Sequence, residues 1–449
     1  MHNRPLLLAA TLLVTAPFAS AQWQQRFPAS SPTARTASAM AFVPQNAGLV
    51  LFGGSAPLVN NQTWVYDGSD WTQLTPATSP SGRFGAQLVY DLARGVAVLY
   101  GGLASNISVP APNSDTWEWD GTDWTQRTNV GSAGARYRYG ASYDLGRGKV
   151  VIFGGATTQL LSPPSNQTWE YDGTAWLQIT TTGNPGGRDR PAMCYMPSLA
   201  KTVLFGGSNG STVSDQTWVY DGNTATWTQL TIPGPKPSAR NAAVMVYDSV
   251  RDLCVLHGGQ NAANVLSDTW TFDGTRWTQS DSPTQTIRDH AMAFLPITNQ
   301  VVKFGGFVAA PNTTSNQTWE LGGAGFGVGC AGSNGVPSLV AANAAILGQP
   351  LNLNVTGLEP SINVGFLVLG FTRLPGIDLG FLGMPGCLAY TSPDVLLPVT
   401  GAAGSAIWTW PSVAGPLGGS FLAQILSLDP TANAFGFTTS NALYTTLTN

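Results

Sequence analysis

The residues best suited to chemistry in this chain are arginines that recur about every 50 positions. Five of them share one place in a repeated pattern: Arg35, Arg83, Arg136, Arg188 and Arg240. The sixth copy has Ile287 there and Arg288 directly after it. Guanidinium groups bind carboxylates and other anions through paired hydrogen bonds. Because the position belongs to the repeat, we favour bonds to neighbouring loop carbonyls and carboxylates. Arg138 and Arg190 are additional, and we predict that they are better ligand-binding candidates than the repeat arginines.

Catalytic chemistry has little support in the sequence. Beyond residues 1–21 the chain has two histidines, His257 and His290, in different strand contexts. Two histidines do not make a copper site without convergent tyrosines. The P-loop and H-E-x-x-H patterns are absent, and no pair of carboxylates stands out for glycoside hydrolysis. We therefore predict that the protein is not an enzyme and holds no metal or cofactor.

Composition excludes some classes of protein. Only 10% of the 449 residues are charged and the formal net charge is −4. The basic surface of a nucleic-acid-binding protein is therefore not expected, and we predict no nucleic-acid partner. The 52 glycines and 15 tryptophans favour a turn-rich, all-β fold.

Residues 1–21 are typical of a secretory signal peptide. Arg4 precedes a short apolar run, and Ala19-Ser20-Ala21 provides a cleavage site after Ala21. The alternative is a membrane anchor, but the apolar run is far shorter than the ~20 residues of a spanning helix. We predict a secreted or cell-surface protein without a membrane span.

Five features recur in one order through the first three quarters of the chain. Arg83 to Gln126 shows them: the arginine is followed by an apolar run that ends in two glycines, then a tryptophan, an Asp-Gly pair and a second tryptophan. The glycine pairs begin at Gly53, Gly101, Gly154, Gly206, Gly258 and Gly305. The apolar run predicts two buried strands, and Asp-Gly predicts a hairpin turn. Each repeat is therefore expected to form a four-stranded antiparallel sheet that stacks on its neighbours.

This order, with a period near 50 residues, resembles the kelch repeat, and six copies resemble a kelch β-propeller. The resemblance spans Trp23 to Gly323 and implies a six-bladed propeller in residues 22–323. The family's usual histidine after the arginine remains only as His290. Some secreted kelch propellers resemble galactose oxidase, but that copper chemistry needs histidine and cysteine-linked tyrosine ligands.

The two ends of the repeat region complement each other. The sixth repeat lacks a second tryptophan, and Trp23 to Arg35 matches Trp71 to Arg83 with the same spacing of 12 residues. We predict that the N-terminal segment supplies the outermost strand of blade 6, which removes an open sheet edge. The alternative is a seventh blade drawn from the C-terminal region.

Residues 324–449 differ from the repeats and carry only five charges. Alternating and apolar runs separated by turn clusters predict a small β-sandwich. The stretch from Leu379 onward resembles a C-terminal domain found after repeat domains in exported bacterial proteins. We predict a disulfide between Cys330 and Cys387, because secreted domains retain disulfides. Cys194 and Cys254 lie in apolar strand runs, where buried thiols are favoured, although their redox state stays open.

The loops that follow the glycine pairs vary in length, whereas the Asp-Gly turns on the opposite face do not. Variable loops on a rigid scaffold are where binding usually resides. We therefore predict an exported, monomeric, non-enzymatic binding protein whose propeller loops take an extracellular protein or glycan. The alternatives are a secreted carbohydrate-active enzyme with a site at the channel mouth, or a structural component of the cell surface.

Overall fold

A computed structural model describes residues 22–55, 58–104, 112–157, 163–280, 285–310 and 312–322, together with the backbone of strands between 338 and 446. These residues form β-strands and loops, with two short 3-10 turns at Pro44–Asn46 and Pro197–Leu199 and no α-helix. The predicted signal peptide at 1–21 lies outside the described residues. The all-β prediction is confirmed.

The repeats form six four-stranded antiparallel sheets, which are the blades. Strand β1 (Gln22–Arg26) belongs to the last of them. In blades 1 to 5 the strand order follows the chain. Blade 1 contains β2 (Ala39–Val43), β3 (Gly48–Phe52), β4 (Thr63–Tyr66) and β5 (Trp71–Leu74), and blade 2 contains β6 (Gln87–Asp91), β7 (Val96–Tyr100), β8 (Thr116–Trp119) and β9 (Trp124–Arg127). Blade 3 contains β10 (Gly140–Asp144), β11 (Lys149–Phe153), β12 (Thr168–Tyr171) and β13 (Trp176–Ile179), and blade 4 contains β14 (Ala192–Met196), β15 (Lys201–Phe205), β16 (Thr217–Asp221) and β17 (Thr226–Gln229). Blade 5 contains β18 (Val244–Asp248), β19 (Leu253–His257), β20 (Thr269–Phe272) and β21 (Trp277–Ser280).

Blade 6 is assembled from both ends of the repeat region. A small sheet of β22 (Ile287–Arg288), β25 (Phe307–Val308) and β26 (Thr313–Thr314) accompanies this blade. The blade itself contains β23 (Ala291–Leu295), β24 (Gln300–Phe304), β27 (Thr318–Gly322) and β1, in that order. Strand β1 runs antiparallel to β27, with Trp23 opposite Leu321 and Arg26 opposite Thr318. The predicted closing strand is therefore present.

Each glycine pair allows the chain to leave the second strand of its blade. In blade 1, Gly53 and Gly54 have φ of +68° and +99°, values that favour glycine over other residues. A Cβ on Gly53 would lie 2.5 Å from the backbone oxygen of Arg83 in the next blade. Glycine is required here both by the backbone conformation and by the close approach of the neighbouring chain.

The second tryptophan of every repeat joins two blades. Its indole N–H donates to a threonine in the third strand of the preceding blade, at 2.8–3.0 Å. The six pairs are Trp71–Thr318, Trp124–Thr63, Trp176–Thr116, Trp227–Thr168, Trp277–Thr217 and Trp23–Thr269. Because Trp23 completes this set, the described blades close into a ring of six with one contact type at every interface. The fold class is therefore a six-bladed β-propeller.

The C-terminal region is also antiparallel β-structure. Its strands are β28 (Ser338–Ala341), β29 (Leu351–Thr356), β30 (Val364–Gly370), β31 (Arg373–Asp378), β32 (Leu388–Thr391), β33 (Val395–Thr400), β34 (Ser405–Trp410), β35 (Ser420–Leu428) and β36 (Phe437–Thr446). They form sheets in the orders β28-β29-β34, β33-β30-β35-β36 and β31-β32. This strand content is compatible with a small sandwich. Cys330 and Cys387 lie outside the described residues, so their pairing stays a prediction.

Candidate functional site

A ring of six residues surrounds one mouth of the central channel. Each stands two positions after the repeat arginine or its equivalent, has a positive φ and lines the axial cavity. The members are Ala37, Gly85, Arg138, Arg190, Ala242 and Asp289. The backbone N–H of each donates to the backbone oxygen of the member in the preceding blade, at 2.7–3.2 Å, and the N–H of Ala37 closes the circle on Asp289. We call this circle the mouth ring. Six hydrogen bonds hold its backbone in place, so its side chains are presented by a rigid frame.

Three members of the mouth ring are charged, whereas the other three are alanine or glycine. Arg190 Nε lies 3.3 Å from Asp289 Oδ1, which is close enough for an ion pair but not aligned for a hydrogen bond. Arg288 Nη1 lies 2.5 Å from Asp289 Oδ2. Asp289 is thus shared by two arginines.

Arg138 is placed differently. Its guanidinium lies 4.7 Å from the centre of the Tyr137 ring, and within the described residues it forms no ion pair with a carboxylate. Burial, and then the neighbouring Arg190, lower the pKa of Arg138. Burial raises the pKa of Asp189, although both arginines oppose that change. The mouth therefore contains a partly desolvated cation whose charge no described carboxylate neutralises at contact distance.

The axial cavity has a volume of about 490 Å³ and is lined by the first strands of all six blades. That size suits a small ligand or an inserted side chain. Buried polar atoms near the mouth have no hydrogen-bond partner within the described residues: Asp189 Oδ1, Arg190 Nε, Asn241 Oδ1 and both ring nitrogens of His290. Buried polar groups are normally satisfied, so these atoms mark this end of the channel as the place to look for a ligand.

The repeat arginines Arg35, Arg83, Arg136, Arg188 and Arg240 do not line the cavity. Arg83 is 1% exposed and donates to the backbone oxygen of Gly101 at 2.9 Å, and it forms a bidentate pair with Asp115 at 2.6 and 3.0 Å. Burial alone would raise the pKa of Asp115, but hydrogen bonds from Arg83 bring it below its usual value. Arg240 binds Gly258 and Asp268 in the same way. Each of these guanidinium groups binds the loop after the glycine pair and does not face the channel. The channel is lined instead by the residue two positions later, which belongs to the mouth ring.

The remaining repeat arginines use an amide as partner. Arg35, Arg136 and Arg188 donate to the side-chain oxygens of Gln62, Gln167 and Gln216. Burial lowers the pKa of Arg35 to about 10. Arg288 lies over the Phe307 ring at 4.3 Å. These contacts are those of a structural role, which we favoured from the repeat.

A buried basic cluster lies between blades 5 and 6, and sequence reasoning missed its central member. Lys303 is fully buried, with Nζ 2.7 Å from His257 Nε2 and 4.4 Å from the Trp23 ring centre. His290 packs edge-on to His257 at 5.4 Å. Burial lowers the pKa of Lys303 and of both histidines, that of His290 to about 3. The signal was present in the sequence, because lysine replaces an aliphatic residue found in the other five repeats.

Other chemistry finds little support in the part of the chain that the structure describes. No group of three histidine, cysteine, aspartate or glutamate side chains there is arranged to hold a metal, and no described helix is long and apolar enough to cross a membrane. The segment Gly206 to Gly210 has the form G-x-S-x-G. A nucleophile elbow needs a strand-to-helix turn, whereas Ser208 lies in a loop where its hydroxyl accepts from Gly210 N–H.

Residues 95–306 match the family model described as the KLHDC2/KLHL20/DRC7 Kelch-repeats domain. This match and the repeated four-stranded antiparallel sheets fit a kelch β-propeller. The matched range runs from the second strand of blade 2 to the end of the second strand of blade 6, and thus covers much of the ring. Kelch-repeat domains have in general a protein-interaction role, and those of this type are typically binding or adaptor modules rather than enzymes.

Proposed function

We propose that this protein is an exported, non-enzymatic binding protein that receives an acidic group of an extracellular protein at the mouth ring. In this proposal residues 1–21 direct export, the kelch propeller at 22–323 binds the ligand, and residues 324–449 form an accessory β-sandwich. The single observation that carries the proposal is the Arg138 guanidinium, which lies in the rigid mouth without a described carboxylate partner.

Charge and geometry favour an anionic group over a neutral one. Arg138 and Arg190 stand on neighbouring blades. Burial is the largest cause of the lowered pKa of Arg138, and repulsion from Arg190 lowers that pKa further. A carboxylate between them would relieve that repulsion and accept hydrogen bonds from both. The variable loops around the same mouth would supply contacts outside the channel. Parts of these loops, 56–57, 105–111, 158–162 and 311, lie outside the described residues.

Arg138→Ala is a clean test of this function. Alanine already occupies the mouth ring at Ala37 and Ala242 with the same left-handed conformation, so the fold is expected to survive. A hydrogen bond to a charged group is worth about 1.5–3 kcal/mol, and we therefore expect affinity for an acidic ligand to fall at least tenfold. Arg276→Ala is the matched control, because Arg276 is 71% exposed in an Asp-Gly turn.

The probes are a fluorescent polyglutamate peptide and a fluorescent polyuronate, titrated against the full chain by anisotropy at two salt concentrations. Salt-dependent binding of the peptide that Arg138→Ala weakens and Arg276→Ala does not would support the proposal. Equal binding by the parent and Arg138→Ala proteins would refute the assignment of the mouth. Binding of the polyuronate alone would transfer the function to a glycan ligand. Export is tested separately, since secreted protein should begin at Gln22.

A further inference from the structure

Cys194 and Cys254 face each other across the interface between blades 4 and 5. Cys194 lies in β14 and Cys254 in β19, and their Sγ atoms are 2.7 Å apart. Non-bonded heavy atoms pack at about 3.5–4.0 Å, so the two sulfurs are closer than an ordinary packing contact. Both cysteines are thiols in the structure and are buried within one apolar cluster.

The same two repeat positions meet at every blade interface. One is the third residue of a first strand, and the other is the second residue of the next blade's second strand. At the five other interfaces the partners share a cluster or a hydrogen bond: Ala41 with Ala97, Val89 with Val150, Ser142 with Thr202, Val246 with Val301, and Ala293 with Leu49. Cysteine occurs at either position only at the blade 4–5 interface, where it occupies both.

The preceding interface shows that these positions direct their side chains at each other. Ser142 Oγ and Thr202 Oγ1 are hydrogen-bonded at 3.0 Å, and they are separated by the same 60 residues as the two cysteines. The repeat backbone therefore brings two short side chains together without local distortion, as a disulfide requires. We propose that Cys194 and Cys254 form a disulfide bond that joins blades 4 and 5.

The oxidation can be written with oxidised glutathione as the electron acceptor. The Cys194 thiolate attacks one glutathione sulfur and releases the first glutathione thiolate. The Cys254 thiolate then attacks Cys194 Sγ and releases the second. The cysteine pair loses two protons and two electrons, and one glutathione disulfide becomes two thiols. Burial raises the pKa of Cys194 in the closed ring, and the attacking species is the thiolate, so the exchange takes place while blades 4 and 5 are still separate.

The test uses the full chain, reduced and unfolded, then refolded with reduced and oxidised glutathione and digested without reductant. Mass spectrometry should find one cross-linked peptide that contains Cys194 and Cys254 and is two hydrogens lighter than its separate parts. The cross-linked protein should melt roughly 5–10 °C above the same protein treated with a phosphine, because the bond closes a long loop in the unfolded chain.

Two variants separate the cross-link from packing. The double variant Cys194→Val, Cys254→Val reproduces the Val246–Val301 pair of the next interface. It should lose the part of the reductant's effect on the melting temperature that comes from the Cys194–Cys254 bond. Adding Ser142→Cys and Thr202→Cys to that variant should restore it one interface earlier. Refolded protein in which Cys194 and Cys254 are both alkylated, or are linked to other cysteines, would overturn the proposal. This measurement on the unmodified sequence is decisive even where a variant fails to fold.

Discussion

Replacing His257 by phenylalanine and Lys303 by leucine together is expected to stabilise the propeller by about 1–4 kcal/mol. At the other five interfaces the last residue of a second strand is aromatic and packs with an aliphatic residue of the next blade. These pairs share one cluster each: Phe52 with Leu99, Tyr100 with Ile152, Phe153 with Leu204, Phe205 with Leu256, and Phe304 with Leu51. The double variant restores this pair at the one interface that lacks it.

The magnitude follows from burial. Lys303 and His257 are both 0% exposed, and a buried ion loses several kcal/mol of hydration. Full burial of a leucine side chain in place of Lys303 would instead stabilise the folded protein by about 1.5–3 kcal/mol. The present contacts offset part of the cost, since a hydrogen bond to a charged group is worth about 1.5–3 kcal/mol and a desolvated cation–π contact about 2 kcal/mol. Thr269 keeps its bond from Trp23 in the variant, as its counterparts do elsewhere.

The single variants sharpen the test because each leaves one polar partner behind. His257→Phe removes the 2.7 Å contact to Lys303 and should destabilise the protein by about 1.5–3 kcal/mol. Lys303→Leu leaves His257 Nε2 without that partner, and this loss should cancel most of the gain. The two changes should therefore be strongly non-additive. Urea unfolding followed by tryptophan fluorescence measures all four proteins. A double variant that is less stable than the parent would refute the packing argument.

Three further predictions concern the ring. Trp23→Ala should cost about 3–5 kcal/mol, because Trp23 is 7% exposed at the closing strand. Phe27→Ala, at 83% exposure, should leave the melting temperature unchanged; equal effects of the two would argue against the closure. Ala242→Gly should stabilise the protein by up to about 1 kcal/mol in urea unfolding, since φ is +56° there and left-handed backbone costs about 1–2 kcal/mol for other residues; a loss would contradict the strain. Burial lowers the pKa of His290 from its ordinary value of 6.5 to about 3 in the folded protein, so the unfolded chain binds the proton more readily and the stability should fall as the pH drops from 6.5 towards 3. His290→Ser should reduce this dependence of the melting temperature on pH. An unchanged dependence would exclude His290 as its cause.

The blades were predictable because the same sequence pattern for their strands and turns occurs in six copies. An apolar run, a glycine pair and an Asp-Gly turn predict strands and bends locally, and six copies remove the ambiguity of any single one. Closure was predictable for the same reason, since Trp23 carries the spacing of Trp71. A chain that lacked the internal copies would not have shown which strand belonged to which sheet.

The candidate site was predictable only in part. Arg138 and Arg190 were found because they depart from the repeat, and both line the channel. The repeat arginines line the loops instead, because a glycine backbone oxygen and a carboxylate or amide lie within reach of each guanidinium, which the spacing of residues does not reveal. Departures from the repeat are thus the useful signal in this chain. Lys303 and the pair of cysteines depart from it in the same way, and only the packing of one blade on the next shows what they meet.

The pairing of β1 with β27 also has a consequence in time. About 300 residues separate the two strands, and a ribosome adds about 5–20 residues per second, so β1 waits roughly 15–60 s after its own synthesis before its partner exists. During that interval Trp23 has no Leu321 opposite it, and blades 1 and 6 are not yet joined. The nascent chain therefore exposes an unpaired strand for most of its synthesis. Any factor that binds residues 22–26 in this period would delay the closure of the ring until it dissociates.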